Sequence, residues 1–171
     1  IAPLVVDRHE RVRDGLQQVF ERWDGRALLY EYCDQQVERF TVDHVLPPAT
    51  THVWGDLEWR ALAAPGHDMG ALVFYNAEHR VLISGDALWE HGFGAIFPEI
   101  EGDSGFAEQR SILELIEQLS PLWVIPGHGA PFSDVASALA RARERLTALE
   151  ASPERNARQV AKALTKFLLL D

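Results

Sequence analysis

Residues 65–89 read PGHDMGALVFYNAEHRVLISGDALW. Two apolar runs, 70–75 (GALVFY) and 80–86 (RVLISGD), flank the turn-forming stretch 76–79, and this pattern predicts a β-hairpin. The chain enters the hairpin through Pro65-Gly66-His67 and leaves it through Ser84-Gly85-Asp86. A Pro-Gly step ends a strand sharply, because proline lacks a donor for the ladder and glycine accepts the angles of a tight exit. An imidazole placed just past such an exit stands at the rim of a sheet. The same step recurs in 124–132, VIPGHGAPF, which presents His128 in the manner of His67. Asp86 follows its own apolar strand at an equivalent position, so three side chains from distant parts of the chain share one kind of address.

Working outward, THVW (51–54) and LEWRALAAP (57–65) flank the turn dipeptide Gly55-Asp56 and predict a second hairpin, hence antiparallel pairing. A glycine-rich loop over 92–105 precedes an amphipathic helix over 107–119, with Ile112, Leu113, Leu115, Ile116 and Leu119 on one face. LWVI (122–125) follows as a buried strand, giving an α/β rhythm. Ser133-Asp134 starts a long alanine- and arginine-rich helix, and Ser152-Pro153 restarts another, with serine as cap and proline at the first helical position. Nearer the start, 2–5 reads as a short strand, 8–23 as an amphipathic helix, and 24–50 as an irregular connection. The tail is helical. One domain over 1–171 is expected, with 133–171 as its C-terminal helical segment.

Charge and composition exclude several classes. With 16 basic against 26 acidic residues the net charge is −10, which repels phosphate backbones and anionic lipid, so neither nucleic acid nor membrane is expected as a partner. The arginines between 141 and 158 alternate with alanine, leucine and glutamate as on a solvated helix face. The single cysteine, Cys33, reads as an inert thiol and permits no internal disulfide. No run approaches the roughly 20 apolar residues of a membrane span. A cytoplasmic protein is the default expectation.

Neutral imidazole and carboxylate are the ligand set of hydrolytic zinc, iron or manganese sites, and a carboxylate with two oxygens can bridge two ions. Bland readings stand beside this one. His67 and His128 also read as rim histidines that merely follow Pro-Gly, and Asp86 as a helix cap or turn residue. Asp68 either orients a histidine or caps its own turn. Trp89, Glu90, His91 and Phe93 suit substrate contact or packing, while His9, His44, His52 and His79 read as surface or turn residues.

Taken together, PGHDMGALVFY, HRVLISGDALW and LSPLWVIPGHGAP resemble the second half of the metallo-β-lactamase superfamily, particularly its glyoxalase II-like hydrolases. The resemblance is close over about 57–132 and loose on the flanks. It implies an α/β fold of the αββα sandwich type, with a dinuclear metal site at one edge of two mixed sheets. It also implies roles: His67 on the first metal, Asp86 bridging both, His128 on the second, with zinc as the expected ion and iron or manganese as alternatives. The reaction implied is hydrolysis of an ester, thioester or lactone in a small-molecule substrate. A metal-bridging hydroxide held near Asp86, the implied catalytic residue, is the attacking group.

The superfamily's HxHxDH element is absent from these 171 residues. Asp43-His44 has Arg39 and Thr41 where histidines should stand, and 7–15 offers only His9. By resemblance Ile1 falls just after that motif, so the chain reads as an N-terminally incomplete member. Each ion would keep one histidine and a shared carboxylate, where hydrolytic zinc sites use three protein ligands, so metal binding by this chain alone is expected to be weak or absent. A sheet edge left bare would invite pairing into a homo-oligomer. The alternative function is a noncatalytic binding or assembly module. A redox role with iron is a third reading, and it needs a flavin partner for which the sequence carries no signal.

Overall fold

The computed structural model describes residues 45–101, 103–156 and 158. The segments read above as the first strand, the first helix and the helical tail, together with His9, Cys33 and His44, lie outside the described residues. Within them, Val45–Ala157 groups as one compact unit. Five strands form a single sheet in the order β1 (Thr50–Trp54), β2 (Leu57–Ala63), β3 (Leu72–Asn76), β4 (Val81–Gly85) and β5 (Trp123–Pro126). Strands β1 to β4 pair antiparallel through the two hairpins, and β5 joins β4 in parallel. The parallel step follows from the intervening helix, since only a long crossover can return a chain in the same direction. That crossover contains α1 (Pro98–Glu101), a turn of helix within the expected glycine-rich loop, and α2 (Phe106–Leu119). After β5 comes α3 (Val135–Glu150), capped by Asp134, whose carboxylate accepts the Ser137 N–H.

Alternation along the strands separates two faces. Val73, Tyr75, Leu82 and Val124 face α2 and α3 and share one core with Ile112, Leu113, Ile116, Ala138, Leu139, Ala142 and Leu146. The Tyr75 hydroxyl reaches the carbonyl of Leu119 at 2.9 Å, tying β3 to the end of α2. The two helices lie antiparallel, as their ion pairs require: Arg110 meets Glu150, and Arg143 holds both oxygens of Glu117 at 2.9 and 2.8 Å. The opposite face carries Trp54, Trp59, Phe74, Ile83, Trp123 and Ile125, with Trp54 packing edge-on to Phe74 at 5.0 Å. One correction follows. The strand at 122–125 is not buried: Val124 is fully covered, but Trp123 and Ile125 are 50% and 40% exposed. It is the edge strand, and only its helix-facing side is packed, so its apolar run could not distinguish one covered face from two.

The fold is that of an αββα sandwich, of which the described residues supply one sheet and the helices on one side of it. Two predictions test this layer. Leu82→Ala, which empties a fully buried position between sheet and helices, should lower unfolding free energy by about 2–5 kcal/mol in denaturant titration. The Arg143 guanidinium holds the Glu117 carboxyl below its ordinary value. Its contribution is therefore present above the unfolded value near 4.5 and is lost as pH falls through the lower folded value. Glu117→Gln should melt earlier than wild type at pH 7, and thermal scans at falling pH should show that gap closing below about pH 4.5.

Candidate metal centre

Strands β2, β4 and β5 run in one direction, because two antiparallel steps separate β2 from β4 and one parallel step joins β4 to β5. Their C-terminal ends therefore open on the same rim, where His67, Asp86 and His128 follow. A register shift between Ile83 and Gly85 sets Gly85 opposite Pro126, so Asp86 and His128 emerge side by side. His67 starts from β2, two strands away, and the loop over 64–71 carries it across β3.

The three sequence-predicted side chains come together around Asp86. His67 Nε2 lies 3.3 Å from Asp86 Oδ2, and His128 Nε2 lies 3.8 Å from Asp86 Oδ1. Each imidazole thus faces its own oxygen of the shared carboxylate. His67 and Asp86 are about one quarter exposed (25% and 28%), whereas His128 is 65% exposed. The His67 ring is fixed twice. Its Nδ1 donates to the Ala95 carbonyl at 2.5 Å, and the Phe97 ring stands edge-on to it at 5.1 Å. A carbonyl only accepts, so Nδ1 carries the proton and Nε2 turns toward the carboxylate.

The two Pro-Gly-His steps have different physical reasons. Gly66 has φ +144°, and a Cβ there would lie 2.6 Å from Gln109 Oε1. Gly127 needs no special φ; a Cβ there would sit 2.9 Å from Asp86 Oδ1, so its glycine is required by close approach.

Several supporting residues escaped the sequence reading. Gln109 of α2, fully buried, donates to the Ala87 carbonyl at 2.9 Å while its Oε1 lies under Gly66, between the two ligand loops. It occupies the helical stripe of Ile112, Leu113 and Ile116, and a polar residue on that stripe was the available signal. Arg145 also belongs to an apolar stripe, with Ala138, Ala142 and Leu149, and is not on a solvated face. It donates to the Phe93 carbonyl at 2.6 Å and stands 4.5 Å over the Phe93 ring, and burial pushes its guanidinium below the ordinary value. Arg141, one turn earlier, chelates the Glu90 carbonyl at 2.9 and 2.7 Å. Buried Asn156 accepts from Ile96 N–H at 3.1 Å and donates to Ile96 C=O at 2.6 Å, for which the sequence carries no signal. The loop over 89–97, which offers Ala95 to His67, is thereby pinned from the C-terminal segment.

The remaining candidates resolve more simply. Asp68 caps its own turn through the Gly70 N–H at 2.6 Å. His52 bonds Thr50 at 2.8 Å and stacks on Trp54, His79 is an exposed turn residue, and His91 lies 3.7 Å from Glu90. Among the described residues no group of three or more His, Cys, Asp or Glu side chains gathers tightly enough to enclose a metal ion. No helix among them is long and apolar enough to cross a membrane.

A model of the metallo-beta-lactamase superfamily matches residues 5–128. The chain is similar to the hydroxyacylglutathione hydrolase of Bartonella tribocorum, 29% identical over 89 residues that cover 52% of this chain and 33% of that protein. The Bartonella henselae hydroxyacylglutathione hydrolase is 36% identical over 56 residues, 33% of this chain and 22% of its own. The chain thus spans a third or less of the length of these curated relatives. Among solved structures, a metallo-beta-lactamase family protein from Thermus thermophilus aligns with TM-score 0.56 and 22% identity over 77% of this chain and 47% of its own. A beta-lactamase domain protein from Burkholderia ambifaria gives TM-score 0.56 and 24% identity over 66% and 35%. Both share the fold.

Asn156→Ala should cost about 2–4 kcal/mol in denaturant titration, because it strands the buried N–H and C=O of Ile96. Hydrogen exchange should quicken selectively over 89–97.

Proposed function

The chain belongs to the metallo-β-lactamase superfamily, and from that premise we propose that it is the site-bearing part of a metal-dependent hydrolase acting on a small acyl substrate. A thioester fits best, with ester and lactone as neighbouring chemistries, since the curated relatives are named hydroxyacylglutathione hydrolases. The observation that carries the reading is the pair of Nε2 atoms on opposite oxygens of Asp86.

The donor types suit zinc, with iron or manganese as alternatives. His67 has the arrangement of a ligating histidine, one ring nitrogen on a backbone carbonyl and the other free for the ion. Its 3.3 Å spacing to Asp86 is close to the roughly 3.4 Å between neighbouring ligands of a four-coordinate ion with bonds of about 2.0–2.2 Å. The count is smaller than the type: each position has one nitrogen and one oxygen from the described residues, so its further ligands come from water, from residues outside them, or from another chain. When bound, the metal supplies an activated water as nucleophile and a Lewis acid for the substrate carbonyl. In that setting Asp86 orients the reacting centre, and His67 and His128 define its two ends.

A noncatalytic assembly module is the second reading. The exposed apolar side chains Val53, Trp54, Trp123 and Ile125 on the two edge strands favour it, as does the absence of HxHxDH. Metal analysis after dialysis against zinc, with a chromogenic thioester assay, separates the two. The hydrolase reading expects bound metal and turnover that Asp86→Asn lowers by on the order of 10³-fold, several kcal/mol of lost transition-state stabilisation. Stoichiometric metal with turnover would overturn the module reading, and turnover that Asp86→Asn leaves unchanged would overturn the hydrolase reading.

A further inference from the structure

One side chain touches the sequence neighbours of both His67 and Asp86. Gln109 projects from α2, and its Nε2 donates to the carbonyl of Ala87, the residue after Asp86, at 2.9 Å. Its Oε1 lies under Gly66, the residue before His67, where a Cβ would meet it at 2.6 Å and would meet Gln109 Cα, in the helix backbone, at 3.1 Å. The Gly66 backbone, at φ +144°, therefore rests directly on the helix. A carbonyl only accepts, so the amide cannot be turned over: Nε2 belongs to Ala87 and Oε1 to Gly66. Gln109 is fully buried, and its Oε1 has no hydrogen-bond partner among the described residues. A buried acceptor left without a donor lowers stability. What the carboxamide supplies is a planar spacer between two loops, rooted in a helix whose far end is tied to β3 by Tyr75 and to α3 through Glu117.

We propose that Gln109 is a positioning residue, which holds the loops after β2 and β4 at the separation that sets the 3.3 Å contact of His67 Nε2 with Asp86 Oδ2. That contact belongs to the chain itself, with or without an activity, so the role is independent of both functional readings above. Gln109 acts through Gly66 and Ala87, so removing its amide while keeping its length is the informative change.

The test is nuclear magnetic resonance on the isotope-labelled full chain, wild type against Gln109→Met, read at the His67 imidazole and at the backbone amides. In wild type the Gln109 side chain should show Overhauser contacts to the Gly66 α-protons, and the His67 Nδ1–H, held by the Ala95 carbonyl, should exchange slowly with solvent. Wild type without the Gly66 contacts overturns the proposal at once. Gln109→Met removes the unpaired oxygen and strands the Ala87 carbonyl, two changes of opposite sign, so its melting temperature should stay near that of wild type. Its His67 Nδ1–H should exchange at least about tenfold faster, with altered ring shifts and quickened amides over 64–68 and 86–88, while the amides of β5 and α3 keep their rates. Unaltered His67 exchange and shifts in folded Gln109→Met would overturn the positioning role. Exchange quickened evenly across the chain, with a lowered melting temperature, would make Gln109 a packing residue and overturn it as well. Should Gln109→Met fail to fold, the same readings are taken on Gln109→Asn, which keeps the amide but is one methylene too short to span the loops. Wild-type His67 signals there overturn the proposal, and selectively quickened His67 exchange supports it.

Discussion

The Asp86 carboxylate sits between two imidazoles, and its position depends on three strands ending at the same rim. Opposed by Nε2 atoms at 3.3 and 3.8 Å, it is held by the Trp89 indole and by its backbone carbonyl, which accepts the Gly94 N–H at 2.8 Å. The two imidazole contacts join loops distant in sequence. They exist because β2, β4 and β5 point the same way, which in turn depends on the α1–α2 crossover making the last pairing parallel.

Behind the rim, polar groups in the core join the helices to the ligand loops. Gln109 stands between the loops that follow β2 and β4, and Asn156 and Arg145 hold the loop over 89–97 by its carbonyls and amide. A carbonyl bonded to a buried side chain cannot rotate without leaving that partner unpaired at a cost of about 1–3 kcal/mol. The His67 tautomer is thus fixed through Ala95 by contacts whose origin lies some 60 residues away in sequence.

The two faces of the sheet have unequal surroundings among the described residues. One is closed by α2 and α3 around Leu82 and Val124; the other displays Trp54, Phe74, Trp123 and Ile125. Over β3, β4 and β5 both faces carry apolar side chains, and these strands read as near-continuous hydrophobic runs, whereas β2 alternates through Glu58 and Arg60. A sandwich layer has this property, and it suits a superfamily whose fold stacks two sheets.

Much of this was legible in the chain. The hairpins follow from turn dipeptides between apolar runs, α2 and α3 from their stripes and the Asp134 cap, and the grouping of His67, Asp86 and His128 from three strand exits of one kind. These signals are local, written in a few neighbouring residues, so the sequence by itself determined the elements and the identity of the rim side chains. The pairing of each imidazole with its own oxygen of Asp86, the indole on Oδ1, the exposure of Trp123 and the clamps of Asn156 and Arg145 were decided only by the tertiary structure. Apart from the indole, which is near Asp86 in sequence, they join groups up to 60 residues apart or follow from a strand's place at the sheet edge, and periodicity carries no record of which distant group lies across a contact.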